Sequence, residues 1–472
     1  MNGKTVLVLG LGRSGEAAAR LLAARGARVL GVDNADHEAL QAVASSLRAQ
    51  GIEVRLGVAS LGRVSAEWAV LSPGFPPQNA LLREVEATGV PVISELELGF
   101  RFCPCPIVAV TGTNGKTTTT ELCTAVLRAG GLRAIAAGNI GRAFCDLLAT
   151  ADAEQLDVAV LEVSSFQLER IVQFRPRVSV MLNLTPDHLD RYASLGDYAA
   201  AKERIFLNQG PAEWAVINAD CRDRFASLSR PNAPRQVLFS ARGRRPDCEL
   251  WLQGTKIRSV QDGELLDMAA TRLSGPHNAE NIMASLAVAA AFRVPSEAAR
   301  EAVQAYQPLP HRCEFVAEID GVRFINDSKA TNLDAVEKAL AGLDRPAVLI
   351  AGGRDKGFDF SALKEILRKK VKFAVLIGET RGKLAASWSS VVPCAEAASL
   401  EEAVRRARRH AQPGEAVLLS PACSSFDMFE NYEDRGEQFK RIVRTLASGQ
   451  QISRANDNQN QEPVAKRIGG TK

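Results

Sequence analysis

The sequence predicts an α/β protein of about three domains, each built around a largely parallel sheet. The 472 residues suit three domains of ordinary size. Apolar runs open into glycine-rich turns at Leu9-Gly10, at Thr111-Gly112 and at Ala351-Gly352. These runs alternate with helix-like segments, which is typical of βαβ units. Since open sheets of this kind bind ligands beyond the carboxyl ends of their strands, we expect functional residues in those turns.

The first domain is predicted at residues 1–97 and has a Rossmann-like beginning. A strand over Thr5–Leu9 leads into Gly10–Gly15, and a helix rich in alanine and leucine follows over Glu16–Arg25. The next strand ends at Asp33, where dinucleotide folds place a carboxylate against a nucleoside. The glycine pattern alone fits NAD as well as another nucleotide, or simply a close packing turn between helix and strand.

A second loop in this domain, Leu71–Pro77, follows an apolar strand and carries one glycine among three prolines. It could approach a phosphate or a sugar, but the residues alone favour an ordinary proline and glycine turn. Closely spaced prolines then indicate a linker over Arg101–Pro106. We therefore place a domain boundary near residue 97.

The central domain, predicted at residues 98–308, opens with the most specific motif in the chain. An apolar run feeds Gly112-Thr-Asn-Gly-Lys-Thr117 and then a helix-like pattern. Backbone N–H groups of such a turn close on phosphate, while Lys116 supplies positive charge and the Thr117 hydroxyl can hold Mg²⁺. A strict P-loop has glycine where Val110 stands. Nucleotide binding is nevertheless favoured over a plain strand-to-helix turn.

Two later strands of this domain end in acidic and histidine side chains. The strand Val158–Glu162 ends in a carboxylate, and the strand Val178–Asn183 is followed by Asp187, His188 and Asp190. The carboxyl ends of parallel strands share one edge of a sheet, so both clusters should face the phosphate loop. We predict Mg²⁺ ligands here, although a histidine without such neighbours is more often a core or surface residue.

An alanine-rich helix is predicted to begin within Leu273–Asn281 and to end near Phe292. Asn278 and Asn281 are spaced to share one face near its start. Contact with ribose or adenine is one interpretation of the pair, and helix capping is the other.

The third domain, predicted at residues 309–447, repeats the strand-to-loop pattern in a second doubly wound sheet. Its polar loops are expected to present these residues to one cleft: Asp327, Lys329, Lys356 and the segment Ser420–Ser425. Ordinary charged surface loops are the alternative. A tail over residues 448–472, rich in Gln, Asn, Ser, Gly and Lys, is predicted to be disordered.

Composition argues against several kinds of partner. The 58 Lys and Arg and the 54 Asp and Glu are spread along the chain, so the net charge of +4 does not favour nucleic acid. No apolar stretch reaches membrane-spanning length, and the start does not resemble a secretion signal. Nine scattered cysteines without a Cys-x-x-Cys pair indicate reduced thiols. We expect a soluble, cytoplasmic monomer that acts on small molecules.

Together these motifs resemble the Mur ligase family of bacterial cell-wall synthesis across residues 1–447. The family pattern is matched in these segments: Gly112–Thr117, Glu162, Asp187–Arg191, His277-Asn278 with Asn281, His311-Arg312 and Asp327–Asn332. Members that add D-glutamate are matched further at Gly138–Gly141, Leu161–Leu168 and Leu419–Gly436. The resemblance accounts for the missing first glycine. It implies a Rossmann-like N-terminal domain, a central P-loop-type ATPase domain with a parallel sheet, and a Rossmann-like C-terminal domain.

The resemblance implies two sets of binding residues. For ATP they are Gly112, Thr113, Asn114, Gly115, Lys116, Thr117, Thr118, Asn278, Asn281, Arg312, Asp327 and Lys329. For the UDP-linked substrate and D-glutamate they are Arg13, Ser14, Asp33, Ser72, Asn139, Thr331, Lys356, Ser425 and Phe426. Arg13 stands where the family usually has an apolar residue.

The resemblance also implies the catalytic and metal-binding residues. Lys116 would neutralise phosphate charge, Thr117 and Glu162 would hold one Mg²⁺, and His188 would hold a second. Lys202 would carry a carbamate and provide an anionic oxygen beside the metal. Without the resemblance, a solvated helix lysine is the preferred interpretation of Lys202.

The implied reaction joins D-glutamate to UDP-N-acetylmuramoyl-L-alanine in peptidoglycan precursor synthesis at the expense of ATP. A carboxylate is a poor electrophile, so it would first accept the γ-phosphoryl group and become an acyl phosphate. Three alternatives are carried forward: a ligase like folylpolyglutamate synthase, an NAD-dependent dehydrogenase that uses Gly10–Gly15, and a P-loop switch that needs no amino acid.

Overall fold

The computed structural model describes residues 3–62, 65–76, 78–188 and 191–459, without the side chains of residues 151, 152 and 449–459. Pro77, Asp190 and residues 460–472, which belong to predicted features, therefore lie outside the described residues. Contacts divide the chain into two compact units, Met1–Gln307 and Pro308–Lys472. No helix within the described parts is long and apolar enough to cross a membrane.

The first unit begins with a parallel sheet of five strands. Its elements are β1 (Thr5–Leu9), α1 (Arg13–Ala24), β2 (Arg28–Val32), α2 (Glu38–Arg48), β3 (Glu53–Arg55), β4 (Trp68–Leu71), α3 (Ala80–Ala87), β5 (Val92–Ser94) and α4 (Glu95–Phe102). The strand order is β3-β2-β1-β4-β5, which confirms the Rossmann-like beginning. Helix α1 begins at Arg13 rather than at the expected Glu16, because the helical turn starts directly after Gly12.

A second sheet of nine strands completes the first unit. Its elements are β6 (Ile107–Thr111), α5 (Lys116–Ala129), β7 (Ala134–Gly138), α6 (Phe144–Leu148), β8 (Val158–Glu162), α7 (Ser165–Leu168), β9 (Val178–Met181), α8 (Leu195–Glu203), β10 (Trp214–Asn218), β11 (Arg235–Ser240), β12 (Leu250–Gln253), β13 (Lys256–Ser259), β14 (Gly263–Asp267), α9 (Pro276–Ala291) and α10 (Ser296–Ala305). The order is β14-β13-β12-β11-β10-β9-β6-β8-β7. Strands β6 to β12 pair in parallel, and β13 and β14 add an antiparallel edge.

Helix α4 joins the two sheets of the first unit. Ser94 caps its start, and the buried carboxylate of Glu97 accepts the backbone N–H groups of Val172, Gln173 and Phe174. The helix continues through Phe102, so the first two residues of the predicted linker over 101–106 are helical. The exact limits of the first two domains stay a prediction, since both sheets lie in one compact unit.

The second unit contains a six-stranded sheet in the order β15-β16-β20-β17-β18-β19. Its elements are β15 (Glu314–Ile319), β16 (Val322–Asn326), α11 (Leu333–Ala341), β17 (Ala347–Gly352), α12 (Lys364–Lys370), β18 (Val371–Ile377), α13 (Arg381–Trp388), β19 (Cys394–Glu396), α14 (Leu400–His410), β20 (Ala416–Leu419) and α15 (Tyr432–Gln459). All neighbouring strands are parallel except β15 and β16. The predicted second doubly wound sheet is thus present.

The tail predicted to be disordered from residue 448 begins inside the last helix of the second unit, and its disorder stays a prediction. Helix α15 continues to Gln459. The earlier half of the helix is anchored by buried Phe439 and Val443, and the residues that follow include alanine, arginine and glutamine, which propagate a helix readily.

Candidate active site

The phosphate loop lies between β6 and α5 in the first unit. Gly112 and Gly115 adopt φ angles of 150° and 83°, and α5 begins at Lys116 without a side-chain cap. A Cβ atom on Gly115 would lie 2.4 Å from Asn281 Oδ1, so a side chain there would displace that amide. The uncapped first turn of α5 presents backbone N–H groups of the kind that bind phosphate.

Asn183, which follows β9, holds this loop through its side-chain amide. Its Oδ1 accepts the backbone N–H groups of Thr113 at 3.1 Å and Asn114 at 2.9 Å, while its Nδ2 donates to the Asn114 carbonyl at 3.1 Å. The Thr113 hydroxyl adds a second link by donating to the Thr185 carbonyl at 3.0 Å. The loop is therefore shaped by the neighbouring strand as well as by its own glycines.

Glu162, at the carboxyl end of β8, lies beside the start of α5 as predicted. Thr117 Oγ1 donates to Glu162 Oε2 at 2.7 Å, and Asn139 Nδ2 donates to Glu162 Oε1 at 2.8 Å. The carboxylate is 3 % exposed. The structure thus brings together two predicted metal ligands and one predicted substrate residue.

Lys202, in the last turn of α8, is only 1 % exposed and faces the same loop. Its Nζ donates to the Gly112 carbonyl at 2.8 Å, and Lys116 Nζ donates to the same oxygen at 3.1 Å. Burial lowers the pKa of Lys202 well below its usual value, and the charge of Lys116 lowers it further. The alternative of a solvated helix lysine is therefore wrong.

His188 lies in an aromatic cluster at the edge of this site. Its ring centroid is 4.8 Å from that of Phe166 and 6.3 Å from that of Tyr198, and its backbone φ is 54°. Asp187 Oδ2 lies 3.9 Å from His188 Nε2. Tyr198 also places its ring 4.7 Å from Lys202 Nζ, so the cluster connects His188 with the lysine.

Asn281 and Asn278 connect α9 with the phosphate loop. Asn281 Oδ1 accepts the Thr119 hydroxyl at 3.1 Å, and its Nδ2 donates to Asn278 Oδ1 at 3.1 Å. Asn278 Nδ2 donates to the Ser274 carbonyl at 2.8 Å, just before the helix. No described side chain caps the start of α9, so neither asparagine is an N-cap, and buried Asn281 supports the loop. Thr118, also predicted to bind ATP, is buried within the first turn of α5.

The predicted UDP residues surround the glycine turn between β1 and α1. Asp33 accepts the backbone N–H groups of Leu11 at 2.8 Å and Ala35 at 3.0 Å. Ser72 is 9 % exposed, and its Cβ lies 3.0 Å from the position that a Cβ on Gly10 would take. Ser14 lies in the first turn of α1. Ser14, Asp33 and Ser72 thus lie at one edge of the sheet, beyond the carboxyl ends of β1, β2 and β4.

Arg13 begins α1 and is exposed. Its Nη2 lies 3.5 Å from the carbonyl oxygen of Asn139, whose side chain bonds Glu162. The glycine turn of the first sheet is therefore a close neighbour, within the first unit, of the cluster formed by Thr117, Asn139 and Glu162.

The second unit places a buried carboxylate, Asp327, after β16. Its Oδ2 accepts the Ser420 hydroxyl at 2.8 Å and its Oδ1 accepts the Cys313 N–H at 3.1 Å. Burial raises the pKa of Asp327 to about 7, while these hydrogen bonds and Arg312 act in the opposite direction. The positive charge of Arg312 thus acts on the Asp327 carboxylate, and both residues are predicted to bind nucleotide.

Lys329 extends from the same loop towards the start of α15. Its Nζ lies 3.6 Å from the ring centroid of Tyr432, which is a cation–π distance. Arg435, fully buried one turn later, donates to Ser328 Oγ at 2.9 Å and to the Cys423 carbonyl at 3.3 Å. The loops after β16 and β20 are therefore tied together by one guanidinium.

The predicted D-glutamate residues of the second unit occupy different environments. Ser425 is buried and its carbonyl accepts the N–H groups of Met428 and Phe429, whereas Phe426 is 62 % exposed. Lys356 and Thr331 are half-buried, and Lys356 Nζ lies 6.0 Å from the ring centroid of Phe358. Phe426, Lys356 and Thr331 are thus at least partly exposed, whereas Ser425 is buried.

Four residues at these sites were not predicted from the sequence: Asn183, Tyr198, Tyr432 and Arg435. Asn183 ends a predicted strand at the same sheet edge as Glu162, and that position was a usable signal. Tyr198 and Arg435 act through contacts across long stretches of chain, with Thr113 and with Ser328, and no local pattern reveals such pairs.

The geometry fits ATP and Mg²⁺. The N–H groups at the uncapped start of α5 suit phosphate, and the Thr117 hydroxyl and Glu162 carboxylate are the oxygen ligands that Mg²⁺ prefers. Within the described residues no group of three His, Cys, Asp or Glu side chains could hold a metal ion. Mg²⁺ in nucleotide sites is commonly held by one or two carboxylates together with hydroxyls, water and substrate phosphates. The fold and site define a nucleotide-dependent enzyme of the P-loop type with a Rossmann-like partner domain.

Three family models match successive parts of the chain. They are described as "Mur ligase MurD-like, N-terminal domain" at residues 4–94, "Mur ligase middle domain" at 110–289 and "Mur ligase, glutamate ligase domain" at 311–423. Two relatives, both named UDP-N-acetylmuramoylalanine--D-glutamate ligase, come from Pelotomaculum thermopropionicum and Geotalea uraniireducens. They are 42 % and 43 % identical over 455 and 448 residues, which cover 94 % of this chain and 98 % of each relative. The chain belongs to the Mur ligase family.

Solved structures show the same fold at low sequence identity. The UDP-N-acetylmuramate-alanine ligase of Thermotoga maritima gives a TM-score of 0.59 at 17 % identity, with 94 % of this chain and 99 % of that chain covered. A bifunctional folylpolyglutamate synthase/dihydrofolate synthase from Yersinia pestis gives 0.54 at 22 % identity, with coverage of 71 % and 89 %. The folate enzyme is thus a distant relative in fold.

Proposed function

We propose that this chain is an ATP-dependent ligase that adds D-glutamate to UDP-N-acetylmuramoyl-L-alanine in peptidoglycan precursor synthesis. The observation that carries the proposal is the 42 % identity over 94 % of the chain to relatives with that activity in their name. The phosphate loop, Glu162 and Lys202 lie together in the first unit, as such a reaction requires. We retain the expectation of a cytoplasmic monomer.

The first chemical step transfers the γ-phosphoryl group of ATP to the L-alanyl carboxylate. Phosphoryl transfer depends on positioning and on neutralising the charge of the oxygens that are brought together. Lys116 and the N–H groups at the start of α5 neutralise phosphate charge. Thr117, Glu162 and His188 are the residues that would hold Mg²⁺, which supplies further positive charge when bound.

The second step forms the amide bond. The neutral amine of D-glutamate attacks the acyl phosphate carbon, loses a proton, and displaces inorganic phosphate. D-Glutamate is proposed to be held by Lys356, Thr331, Ser425 and Phe426. The UDP-linked substrate is proposed to be held by Arg13, Ser14, Asp33, Ser72 and Asn139. Asn139 would orient Glu162 as well, because the two side chains are 2.8 Å apart.

A carbamate on Lys202 is part of the proposal. A neutral amine that captures CO₂ releases a proton and becomes an anionic oxygen ligand. Its pKa is lowered by burial, so the neutral amine is present at lower pH than for an exposed lysine. The carbamate would add an anionic oxygen near Glu162 and Asp187, whose charges already act on Lys202.

The test is amino-acid dependence of phosphate release with ATP, Mg²⁺ and UDP-N-acetylmuramoyl-L-alanine. We expect release with D-glutamate, and little with L-glutamate, L-alanine or diaminopimelate. Release with tetrahydrofolate and L-glutamate would instead support the folate alternative. Nucleotide hydrolysis at the same rate with and without amino acids would support the P-loop switch. A change in the absorbance of a nicotinamide cofactor would support the dehydrogenase.

A further inference from the structure

A cavity apart from the candidate active site lies in the first unit, between α9, α10 and the strands β10 to β14. Its volume of about 510 Å³ falls in the range of small-molecule sites. None of the predicted active-site residues lines it. Helix α9 carries Asn281 towards the phosphate loop near its start, whereas its later residues Leu286, Ala287 and Ala289–Ala291 line the cavity.

The walls of this cavity are mainly apolar. Trp214, Val237 and Leu250 line it from the sheet, and Leu286 and Val294 line it from the helical side. Alanines on the helical side leave the space open, namely Ala287, Ala289, Ala290, Ala291 and Ala299. Val260 at the edge is 62 % exposed, so apolar surface extends to the opening. A ligand would need an apolar body to replace water here.

The lining carries negative charge only. Asp247, Glu249 and Asp262 belong to it, and none of the described residues that line it is lysine or arginine. Arg245, outside the lining, lies 3.4 Å from Asp247 and offsets part of this charge. Burial, followed by the Asp247 charge, raises the pKa of the Cys248 thiol in the same wall to about 11. The opening therefore favours a cation over an anion.

We propose that this cavity binds a small organic amine, with its aromatic or aliphatic body between α9 and the sheet and its ammonium group at the carboxylates. The apolar walls provide affinity, and Asp247 and Asp262 provide the preference for positive charge. The site is separate from the proposed ligase reaction and does not depend on it.

Three matched probes test the proposal on the full chain with saturating ADP: 1-naphthylmethylamine, 1-naphthylmethanol and 1-naphthoate. Calorimetry should give a dissociation constant about tenfold lower for the amine than for the alcohol, and a higher one for the carboxylate. Trp214 fluorescence should change with the amine, because this residue lines the cavity. Equal affinity for all three probes, or no binding of the amine, overturns the proposal.

Two variants locate the binding. Ala290→Phe fills the opening from an exposed helix position and should weaken amine binding about tenfold. The double variant Asp247→Asn with Asp262→Asn should reduce amine affinity to that of the alcohol without filling the cavity. Asp223→Asn removes a carboxylate that is 87 % exposed and outside the cavity, and should change nothing. Unchanged amine binding in both test variants contradicts the assignment.

Discussion

The two glycine turns of the first unit follow the same strand-to-helix plan but are held in different ways. In the turn Gly10–Gly15, a Cβ on Gly15 would lie 1.8 Å from the Gly10 carbonyl oxygen, so the turn closes on itself. In the turn Gly112–Thr117, a Cβ on Gly115 would instead meet Asn281, far along the chain. At Gly15 the first turn is closed by its own backbone, although Ser72 and Phe75 pack against Gly10, whereas at Gly115 the second turn is closed by the side chain of Asn281.

This difference predicts which substitutions affect folding and which affect nucleotide chemistry. The first turn is held by one carboxylate after the neighbouring strand, Asp33, which accepts the N–H groups of Leu11 and Ala35. The phosphate loop needs Asn183, Asn281 and Lys202, which come from three other segments. Changes in the first turn should therefore mainly affect folding, whereas changes around the second should mainly affect nucleotide chemistry.

The largest effect is expected for Lys202→Ala. The variant removes the amine that contacts Gly112 and that is proposed to carry the carbamate, so kcat should fall about 100-fold or more. Added formate or acetate should restore part of the activity by supplying the missing anionic oxygen. Steady-state phosphate release measures both effects.

Lys256→Ala is the matched control for this variant, because Lys256 forms a surface ion pair with Glu264 in the same unit. It should retain full activity. A Lys202→Ala enzyme close to wild type would remove the carbamate role, and would mean that the contact with Gly112 is dispensable.

A paired glycine experiment tests the comparison directly. Gly15→Ala should lower the free energy of unfolding by about 2–4 kcal/mol, because its Cβ meets backbone that cannot rotate away. Gly115→Ala should cost less stability but raise the dissociation constant of ADP about tenfold or more, since it displaces Asn281 and disturbs the loop. Denaturant melts and ADP calorimetry give both numbers.

Gly12→Ala serves as the control for the pair, because no atom lies within 4 Å of the position its Cβ would take and its φ is −63°. Its stability and ADP affinity should match wild type. If Gly15→Ala weakened ADP binding while leaving stability intact, the proposed division between the two turns would be incorrect.

Much of the fold could be predicted because apolar strands and glycine turns are local patterns. The parallel sheets and the phosphate loop followed from such patterns, and Glu162 followed from its place at a strand end. The burial of Lys202 could not be predicted from the local sequence, since a lysine near the end of a helix such as Leu195–Glu203 is usually solvated. Asn183 and Arg435 act on loops 69 and 107 residues away, and only the folded chain shows these contacts.

Asn183 provides a smaller test of how the phosphate loop is held. Asn183→Ala removes three hydrogen bonds to Thr113 and Asn114 and should raise the dissociation constant of ADP about tenfold. Asn183→Asp keeps the acceptor but loses the donor and adds negative charge beside the phosphates, so it should bind no better than the alanine variant. Gln236→Ala, at a half-buried amide on β11, is the control. Wild-type ADP affinity in both Asn183 variants would show that the glycines alone shape the loop.

The smallest effect is expected for Asp33→Asn in the first turn. The substitution keeps one acceptor for Leu11 or Ala35 but places an N–H donor against the other amide, which should cost about 1 kcal/mol of stability. UDP affinity should fall a few-fold, since the asparagine keeps one side-chain oxygen for the nucleotide. Asp36→Asn, at an exposed neighbouring carboxylate, should change neither quantity. Calorimetry with UDP and a denaturant melt separate the two effects, and wild-type UDP affinity in Asp33→Asn would mean that Asp33 shapes the turn without holding the nucleotide.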